Sequence, residues 1–325
     1  MLTAGCPTPS SRAAWEKLPL STTRTKNLLA VGEYDGHPDV VPQAFGTPVI
    51  YVNRDIVKAA GLNPDKPPRT WEEMRQQALQ NKQNTGKYGL FFGMGGDLAS
   101  QQMMVNAGAD MLSPDMTRAT FASPDGIAAM QLWQDMFVTD KSVPTLTDKE
   151  SQSFFMGGQI GMYIGSIATF QQAVRTANGV FDLGVAPYPT WGDKPHRVPN
   201  SGSGLMLFSG DELHRDAALR FLAYMVSPDV ANRWAVTSGY LPISVGAKDA
   251  QVIRDYVAKE PRWGVAVKQM DDLVATARWP GTRIVEMQTV LGNMVAALAQ
   301  NKGTAATLVP QAEQQITDLI KAGTE

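Results

Sequence analysis

Short runs of β-branched and aromatic residues alternate along the chain with longer segments in which apolar residues recur every three or four positions. The run 47–52 is typical of a buried strand, and the run 88–94 has the same character. The clearest helical face follows Pro124 and comprises Ala129, Leu132, Trp133, Met136 and Phe137. Strands that alternate with helices predict an α/β protein.

Further elements are predicted by the same rules along the rest of the chain. A helix is expected at 100–106, an edge strand at 182–189 and a glycine-serine turn that leads into a strand at 197–208. Three later helices are expected to bury one face each, formed by Ala217, Ala218, Phe221, Leu222 and Met225, then Ile284, Met287, Leu291, Met294 and Leu298, then Ala312, Ile316, Leu319 and Ile320.

Local signals around 46–73 define a strand, a short helix and the start of a second helix. The helix that begins near Asp55 is expected to stop at Gly61, because glycine is the usual left-handed terminator. A proline-rich loop then leads to Thr70. Its hydroxyl is predicted to cap the next helix, with Glu73 completing a capping box.

The segment 150–174 predicts a helix, a glycine turn, a short strand and another helix. Gly157 and Gly158 are expected to close the first helix, and Gly165 and Ser166 to open the next, with backbone N–H groups exposed at that point. Phosphate cradling is an alternative use of these glycines, although the sequence lacks a GxxxxGK[ST] motif.

Three segments, in order, resemble the extracytoplasmic solute-binding proteins of ABC importers, and most of all their carbohydrate and glycerol-phosphate-ester branch. They are GTPVIYVNRDIVKAAGLNPDKPPRTWEE at 46–73, ESQSFFMGGQIGMYIGSIATFQQAV at 150–174, and SPDVANRWAVTSGYLP at 227–242. The likeness extends over about residues 34–325. The alternative for any one segment is an ordinary strand and helices of another α/β protein.

The resemblance implies a type II periplasmic-binding-protein-like fold, in which two lobes are joined by a multi-strand hinge that the chain crosses three times. It assigns residues 1–44 and 204–241 to the first lobe and residues 45–203 and 242–325 to the second. The family's first lobe also contains a βαβαβ unit, for which there is no room between Cys6 and Gly36. A truncated first lobe is therefore expected.

Composition and charge narrow the function further. The 325 residues are 43% apolar, enough for one large or two moderate cores. With 29 Lys and Arg against 31 Asp and Glu and no basic cluster, a nucleic-acid partner is not expected. No run approaches the roughly 18 apolar residues that span a bilayer.

The sequence offers little for catalysis or for metal binding, so neither an enzyme nor a cofactor or metal site is expected. The histidines are dispersed and form no metal pair, and GSG at 202–204 precedes a strand, unlike the elbow of a serine hydrolase. Adjacent carboxylates on a helix point in different directions and cannot flank one glycosidic bond, which applies to Glu72 and Glu73 and to Asp271 and Asp272. Seven Trp and eight Tyr instead suit carbohydrate stacking.

The only cysteine, Cys6, follows small residues and resembles the acylated cysteine of a bacterial lipobox. Leucine stands four positions before it, where the family pattern has three, and no apolar h-region precedes it. The alternative is a chance small-residue start. The resemblance implies an extracytoplasmic location, in the periplasm or, if Cys6 is acylated, at the outer face of the cytoplasmic membrane.

Ligand contacts carried over from the family fall first at the chain crossings. Backbone groups of Phe45, Gly46 and Thr47 are expected to face the ligand at the first crossing. Gly165 and Ser166 are expected to face it from the second lobe.

Later crossings supply the other contacts. Gly202 and Ser203 are expected to approach the ligand by backbone, and Tyr240 to hydrogen-bond or stack with it, or else to cap a helix. Arg283, preferred to Arg278, is expected to grip a phosphate or hydroxyl, or else to pair with one of the carboxylates at 271–272.

One position departs from the branch. Where the glycerol-phosphate-ester proteins carry a tryptophan, this chain has Gly95, Gly96 and Asp97. Asp97 is expected to accept hydrogen bonds from sugar hydroxyls instead.

Three functional hypotheses follow. The first is a monomeric binder that captures a sugar or glycerol-phosphate ester between two lobes and delivers it to ABC permease subunits. The second is an α/β carbohydrate-active enzyme. The third is a truncated remnant that folds but binds nothing.

Overall fold

A computed structural model describes residues 33–34, 37–38, 40–207 and 211–324. Backbone contacts divide the chain into two compact units. The first unit contains the described residues up to Thr47, together with Ile167–Gln171 and Asn200–Ala275. The second unit contains Pro48–Ser166, Gln172–Pro199 and the residues from Thr276 onward.

The strands and helices alternate through both units. The strands are β1 Glu33–Tyr34, β2 His37–Pro38, β3 Val41–Gly46, β4 Pro48–Asn53, β5 Tyr88–Phe92, β6 Ile160–Ser166, β7 Leu183–Ala186, β8 Val198–Pro199, β9 Ser201–Leu205 and β10 Leu273–Val274. The helices are α1 Arg54–Ala59, α2 Trp71–Thr85, α3 Gly96–Ala107, α4 Pro124–Val138, α5 Asp148–Met156, α6 Phe170–Ala177, α7 Glu212–Val226, α8 Pro228–Ser238, α9 Gln251–Lys259, α10 Pro261–Lys268, α11 Ile284–Ala299 and α12 Ala305–Thr324.

The second unit is built on a four-stranded sheet with the order β5-β6-β4-β7. Strand β6 runs parallel to β5 and antiparallel to β4, and β7 pairs with β4 at the edge. Every residue of β4 is buried, so both faces of the sheet are covered. The place of β7 confirms the edge strand predicted at 182–189.

Caps at two helix starts explain why the chain leaves the sheet where it does. The Asn53 side chain accepts a hydrogen bond from the Ile56 N–H at 3.1 Å and so caps α1. The Thr70 hydroxyl accepts from the Glu73 N–H at 3.2 Å, which confirms the predicted cap of α2. The prediction of a capping box is wrong, because the Glu73 carboxylate accepts a hydrogen bond from the Arg69 N–H at 2.7 Å and not from the N–H of the cap residue, Thr70.

Aromatic stacking joins α4 to the sheet in the core of the second unit. The Trp133 ring lies 4.2 Å from Phe92 and 5.3 Å from Phe137, both in stacked geometry. The predicted face of α4 is thus confirmed at Ala129, Trp133 and Met136, which are buried. Leu132 and Phe137 are only half-buried, and Met130, outside the predicted face, is fully buried instead.

The first unit has a smaller sheet and a helical layer. Strands β3 and β9 pair antiparallel, with Val41 opposite Leu205 and a register shift between Pro42 and Ala44. A small core of buried residues lies beside this pair, formed by Val41, Leu207, Leu222 and Val226. In the helical layer, Trp263 is fully buried.

The buried face of α7 differs from the predicted one. Leu222 is buried as expected, but Phe221 is 55% exposed, and Val226, outside the predicted set, is fully buried. Helix α7 carries apolar side chains on several sides, so periodicity alone does not select the side that is covered. Predicting Phe221 as core was wrong.

Two other expectations differ from the structure. Gly165 and Ser166 are the last two residues of β6 and pair with Val49 and Pro48, so they belong to the strand and not to the helix. The helical stretch begins directly after Ser166, with a 3₁₀ turn at Ile167–Thr169 that leads into α6. The predicted second lobe included 242–275, whereas these residues lie in the first unit. The reason is that α9 and α10 pack there, with the Trp263 indole N–H donating to the Gly239 carbonyl at 2.9 Å.

Among the described residues, no helix combines the length and the apolar character needed to cross a bilayer.

Candidate functional site

Four of the predicted ligand contacts come together in the first unit, on the β3–β9 ladder. Phe45 lies opposite Gly202, Ala44 opposite Ser203 and Gly46 opposite Ser201. Phe45 and Gly46 are buried, whereas Gly202 and Ser203 are exposed. The ladder therefore places the glycine-serine strand on the accessible side of this cluster.

Gly202 is required by the ladder itself. Its φ is +145°, and a Cβ added there would lie 2.2 Å from the Ala44 carbonyl oxygen. A side chain at this position would collide with the neighbouring strand, so the close approach at Gly202 is made by the protein's own backbone.

Thr47 follows β3 directly and is held by Gln269, a residue that no sequence pattern indicated. Its side chain is fully buried, and its hydroxyl accepts a hydrogen bond from the Gln269 amide at 2.8 Å. The Thr47 carbonyl accepts from the Ile167 N–H at 3.0 Å. Thr47 thus supports the site internally, because both its hydroxyl and its carbonyl bond to protein groups. Gln269 is itself buried, and no local motif marks it.

Tyr240 joins the same cluster through its neighbour. The Leu241 N–H donates to the Phe45 carbonyl at 2.8 Å, which ties the turn after α8 to β3. Tyr240 is half-buried, and its N–H donates to the Ser238 hydroxyl at 3.3 Å. The turn is further braced by Trp263, whose indole N–H donates to the Gly239 carbonyl.

A second polar contact lies beneath this turn. Tyr256 packs edge-on against Trp263, with ring centroids 5.0 Å apart, and its hydroxyl accepts from the Gln171 amide at 2.5 Å. Burial raises the pKa of Tyr256 above its ordinary value. The phenol therefore stays protonated well above neutral pH.

In the second unit, Gly165 and Ser166 end β6. A Cβ on Gly165 would lie 2.6 Å from the Tyr163 ring, so this glycine makes room for a core aromatic. The Ser166 carbonyl accepts from the Tyr51 hydroxyl at 2.8 Å, and the residue is half-buried. The structure thus gives Gly165 a packing role and leaves part of Ser166 accessible.

Asp97 and Arg283 lie elsewhere in the second unit, and the strands that pair with β6 among the described residues contain neither of them. Asp97 is in the first turn of α3 and half-buried. Arg283 precedes α11, and its Nε lies 3.1 Å from the Glu286 carboxylate, which replaces the pairing with residues 271–272 considered above.

Across the residues that the structure describes, no three His, Cys, Asp or Glu side chains gather in a way that could hold a metal ion. Cys6 lies outside the described residues. The accessible polar groups of the first-unit cluster are therefore hydroxyls and backbone groups, the kind that form hydrogen bonds with polyols.

A profile of the bacterial extracellular solute-binding proteins matches residues 12–232. The sn-glycerol-3-phosphate-binding periplasmic protein UgpB of Yersinia enterocolitica is 28% identical over 243 residues, which are 72% of this chain and 55% of that protein. UgpB of Escherichia coli K12 is 28% identical over 244 residues, 72% of this chain and 56% of that protein. The chain thus spans a little over half the length of these relatives.

Solved structures share the fold. The cyclic α-maltosyl-1,6-maltose binding protein of Arthrobacter globiformis has a TM-score of 0.83 at 23% identity, covering 98% of this chain and 81% of that one. UgpB of Mycobacterium tuberculosis, in complex with glycerophosphocholine, has a TM-score of 0.83 at 21% identity, covering 98% and 80%. The fold is that of the type II periplasmic binding proteins, as the sequence predicted.

Proposed function

Because this chain belongs to the bacterial extracellular solute-binding proteins, we propose that it is the substrate-binding component of an ABC importer. In this proposal it binds a carbohydrate or a glycerol-phosphate ester reversibly, leaves it chemically unchanged and delivers it to permease subunits. It acts outside the cytoplasm, as a monomer, and Cys6 is its site of lipid attachment.

One structural observation carries the proposal. The chain passes from one unit to the other after Thr47, Ser166, Gln171, Pro199 and Ala275. Most of the predicted contacts adjoin three of these crossings, namely those after Thr47, Ser166 and Pro199. Segments where the chain leaves a compact unit are the usual hinge positions in proteins that close on a ligand. The UgpB relatives supply the ligand class by analogy.

The test is direct binding by the full chain. Mono- and disaccharides, sn-glycerol 3-phosphate and glycerophosphodiesters are added one at a time, and the melting temperature is recorded. A ligand at 100 times its Kd should stabilise the chain by about 2.7 kcal/mol. The ligand is then recovered and its molecular mass is measured by mass spectrometry. An unchanged mass supports binding over catalysis.

A matched pair of variants localises the effect to the first-unit cluster. Tyr240→Ala should lower the affinity at least about tenfold, whereas Tyr224→Ala, at a 60% exposed tyrosine of the same unit, should leave it unchanged. A panel without a single stabilising ligand would refute the proposal in favour of a remnant that does not bind. A product in the recovered ligand would favour the carbohydrate-active enzyme.

Lipid attachment has its own test. Radiolabelled palmitate fed to cells that express the chain behind a lipoprotein signal peptide should label it, and Cys6→Ser should abolish the label. An equal label on both forms would exclude Cys6 as the acceptor.

A further inference from the structure

The second unit contains a pocket of its own, which we call the α3–α11 pocket. Its volume is about 530 Å³, and its walls come from the end of β5, the start of α3, the middle of α4 and one side of α11. Phe92, Trp133, Val285 and Val295 are among its apolar lining residues. A pocket of this size accommodates a small organic molecule.

The pocket carries one kind of charge. Asp97 is the only ionisable side chain among the described residues that line it, and it is half-buried. No described side chain donates to or pairs with its carboxylate. An acidic residue in the first turn of a helix is favourable by itself, so Asp97 alone does not indicate a ligand. Beside an apolar cavity, however, it gives the pocket a negative charge that no lining cation balances.

The hydroxyl groups of the pocket are partly committed to the helices that carry them. The Thr147 hydroxyl donates to the Glu150 carboxylate at 2.7 Å, and the Thr289 hydroxyl donates to the Val285 carbonyl at 2.7 Å. A carbohydrate would need polar partners around its whole ring. Thr145, Gln288 and Gln300 also line the pocket, but most of its lining residues are apolar. The wall therefore suits a ligand with alkyl groups better than one covered in hydroxyls.

A glycine in α11 leaves additional space at the wall of the pocket. Gly292 stands in the interior of α11, where glycine is unfavourable relative to alanine, and a Cβ added there would meet nothing within 4 Å. No packing in the described residues therefore requires this glycine.

We propose that the α3–α11 pocket binds a small organic ammonium ion, with its alkyl groups against the apolar wall and its positive charge near Asp97. The attraction between unlike charges favours such a cation, and the same carboxylate repels phosphate and carboxylate ligands. The pocket lies wholly within the second unit, so this inference does not depend on the proposed transport role.

A matched pair of probes separates charge from shape. Choline carries a quaternary ammonium group, and 3,3-dimethyl-1-butanol has the same shape and hydroxyl without the charge. Titration calorimetry of the full chain at low ionic strength should give a Kd for choline at least about tenfold lower than for the neutral alcohol. sn-Glycerol 3-phosphate, an anion, should not compete for the pocket.

Variants then test the two sides of the pocket. Asp97→Asn keeps the size of the side chain and should weaken choline about tenfold without changing the affinity for the neutral alcohol. Gly292→Phe should fill the cavity and abolish both affinities, while Gly292→Ala, the matched control, should retain both. Circular dichroism checks that each variant is folded, and Asp97→Asn serves alone if Gly292→Phe does not fold.

Equal affinities for the two probes would overturn the inference, and so would choline binding that is indifferent to Asp97→Asn. Absence of binding by either probe at millimolar concentration would overturn it as well.

Discussion

Replacing Asn106 by alanine should destabilise the second unit far more than replacing Asn81, although both side chains are almost completely buried. The Asn106 amide oxygen accepts from the Trp71 indole N–H at 2.8 Å, and its amide nitrogen donates to the carbonyls of Pro189 at 3.1 Å and Arg197 at 2.7 Å. Neither atom of the Asn81 amide has a hydrogen-bond partner among the described residues. The pair therefore separates bonded from unbonded burial.

The magnitude follows from what each substitution leaves behind. Asn106→Ala leaves the buried Trp71 N–H and two carbonyls without a partner, and each such group costs about 1–3 kcal/mol. Because the Arg197 carbonyl is only partly shielded, we expect a total loss of about 3 kcal/mol. Asn81→Ala removes a desolvated amide that makes no bonds, so the loss should stay below about 1 kcal/mol. The cavity created is the same size in both variants.

The measurement is urea unfolding of the full chain, with native-state hydrogen exchange of β4 and β6 to report on the second unit alone. Two units need not unfold together, so a single bulk transition would not assign the loss. For a domain of 150–250 residues, 3 kcal/mol corresponds to a melting temperature about 6–12 °C lower. Equal losses for the two variants would refute the reasoning, because they would mean that the Asn81 amide is bonded in solution.

Three other predictions follow from named contacts. Arg75→Ala should lower the free energy of unfolding by about 3 kcal/mol, because it leaves the nearly buried Asp140 carboxylate, to which Arg75 donates at 2.6 and 3.0 Å, without its cation. In denaturant titrations, Arg75→Lys should recover part of this loss. Burial raises the pKa of Tyr256, so above about pH 10 the folded chain keeps a proton that the unfolded chain loses, and the free energy of unfolding should fall there as the pH rises. Tyr256→Phe should make this fall less steep in alkaline melting curves, and an unchanged slope would contradict the prediction. Gln269→Ala should lower the free energy of unfolding by about 1–2 kcal/mol, because it removes the donor to the Thr47 hydroxyl. In a double-mutant cycle, adding Thr47→Val to Gln269→Ala should cause little further loss.

Local chemistry was enough to predict the elements around the first chain crossing. Strand β4 contains a run of β-branched and aromatic residues at 49–52, the Thr70 hydroxyl caps α2, and Gly61 adopts a φ of +78° just past the end of α1. Each of these signals depends on residues within a few positions of one another. They therefore act in the same way whatever the rest of the chain does.

Contacts between distant residues could not be predicted in this way. Gln269 is 222 positions from Thr47, and neither residue carries a pattern that pairs them. The buried side of α7 was misjudged for a related reason, because Phe221 and Val226 are both apolar and only tertiary packing decides which one is covered. The α3–α11 pocket likewise depends on α11 reaching α3 and α4, which periodicity does not specify.

The positions that the family resemblance marked fall into two physical kinds. Phe45 and Thr47 are buried, and their carbonyls accept hydrogen bonds from protein N–H groups, so they maintain the backbone of the first-unit cluster. Ser203 and Tyr240 are at least partly exposed, as the proposed role in ligand binding requires. Groups of the first kind tolerate little change, because a buried backbone group that loses its partner is costly. Under the proposed function, selectivity is expected to rest on the second kind, since members of one family can share a fold while they bind different solutes.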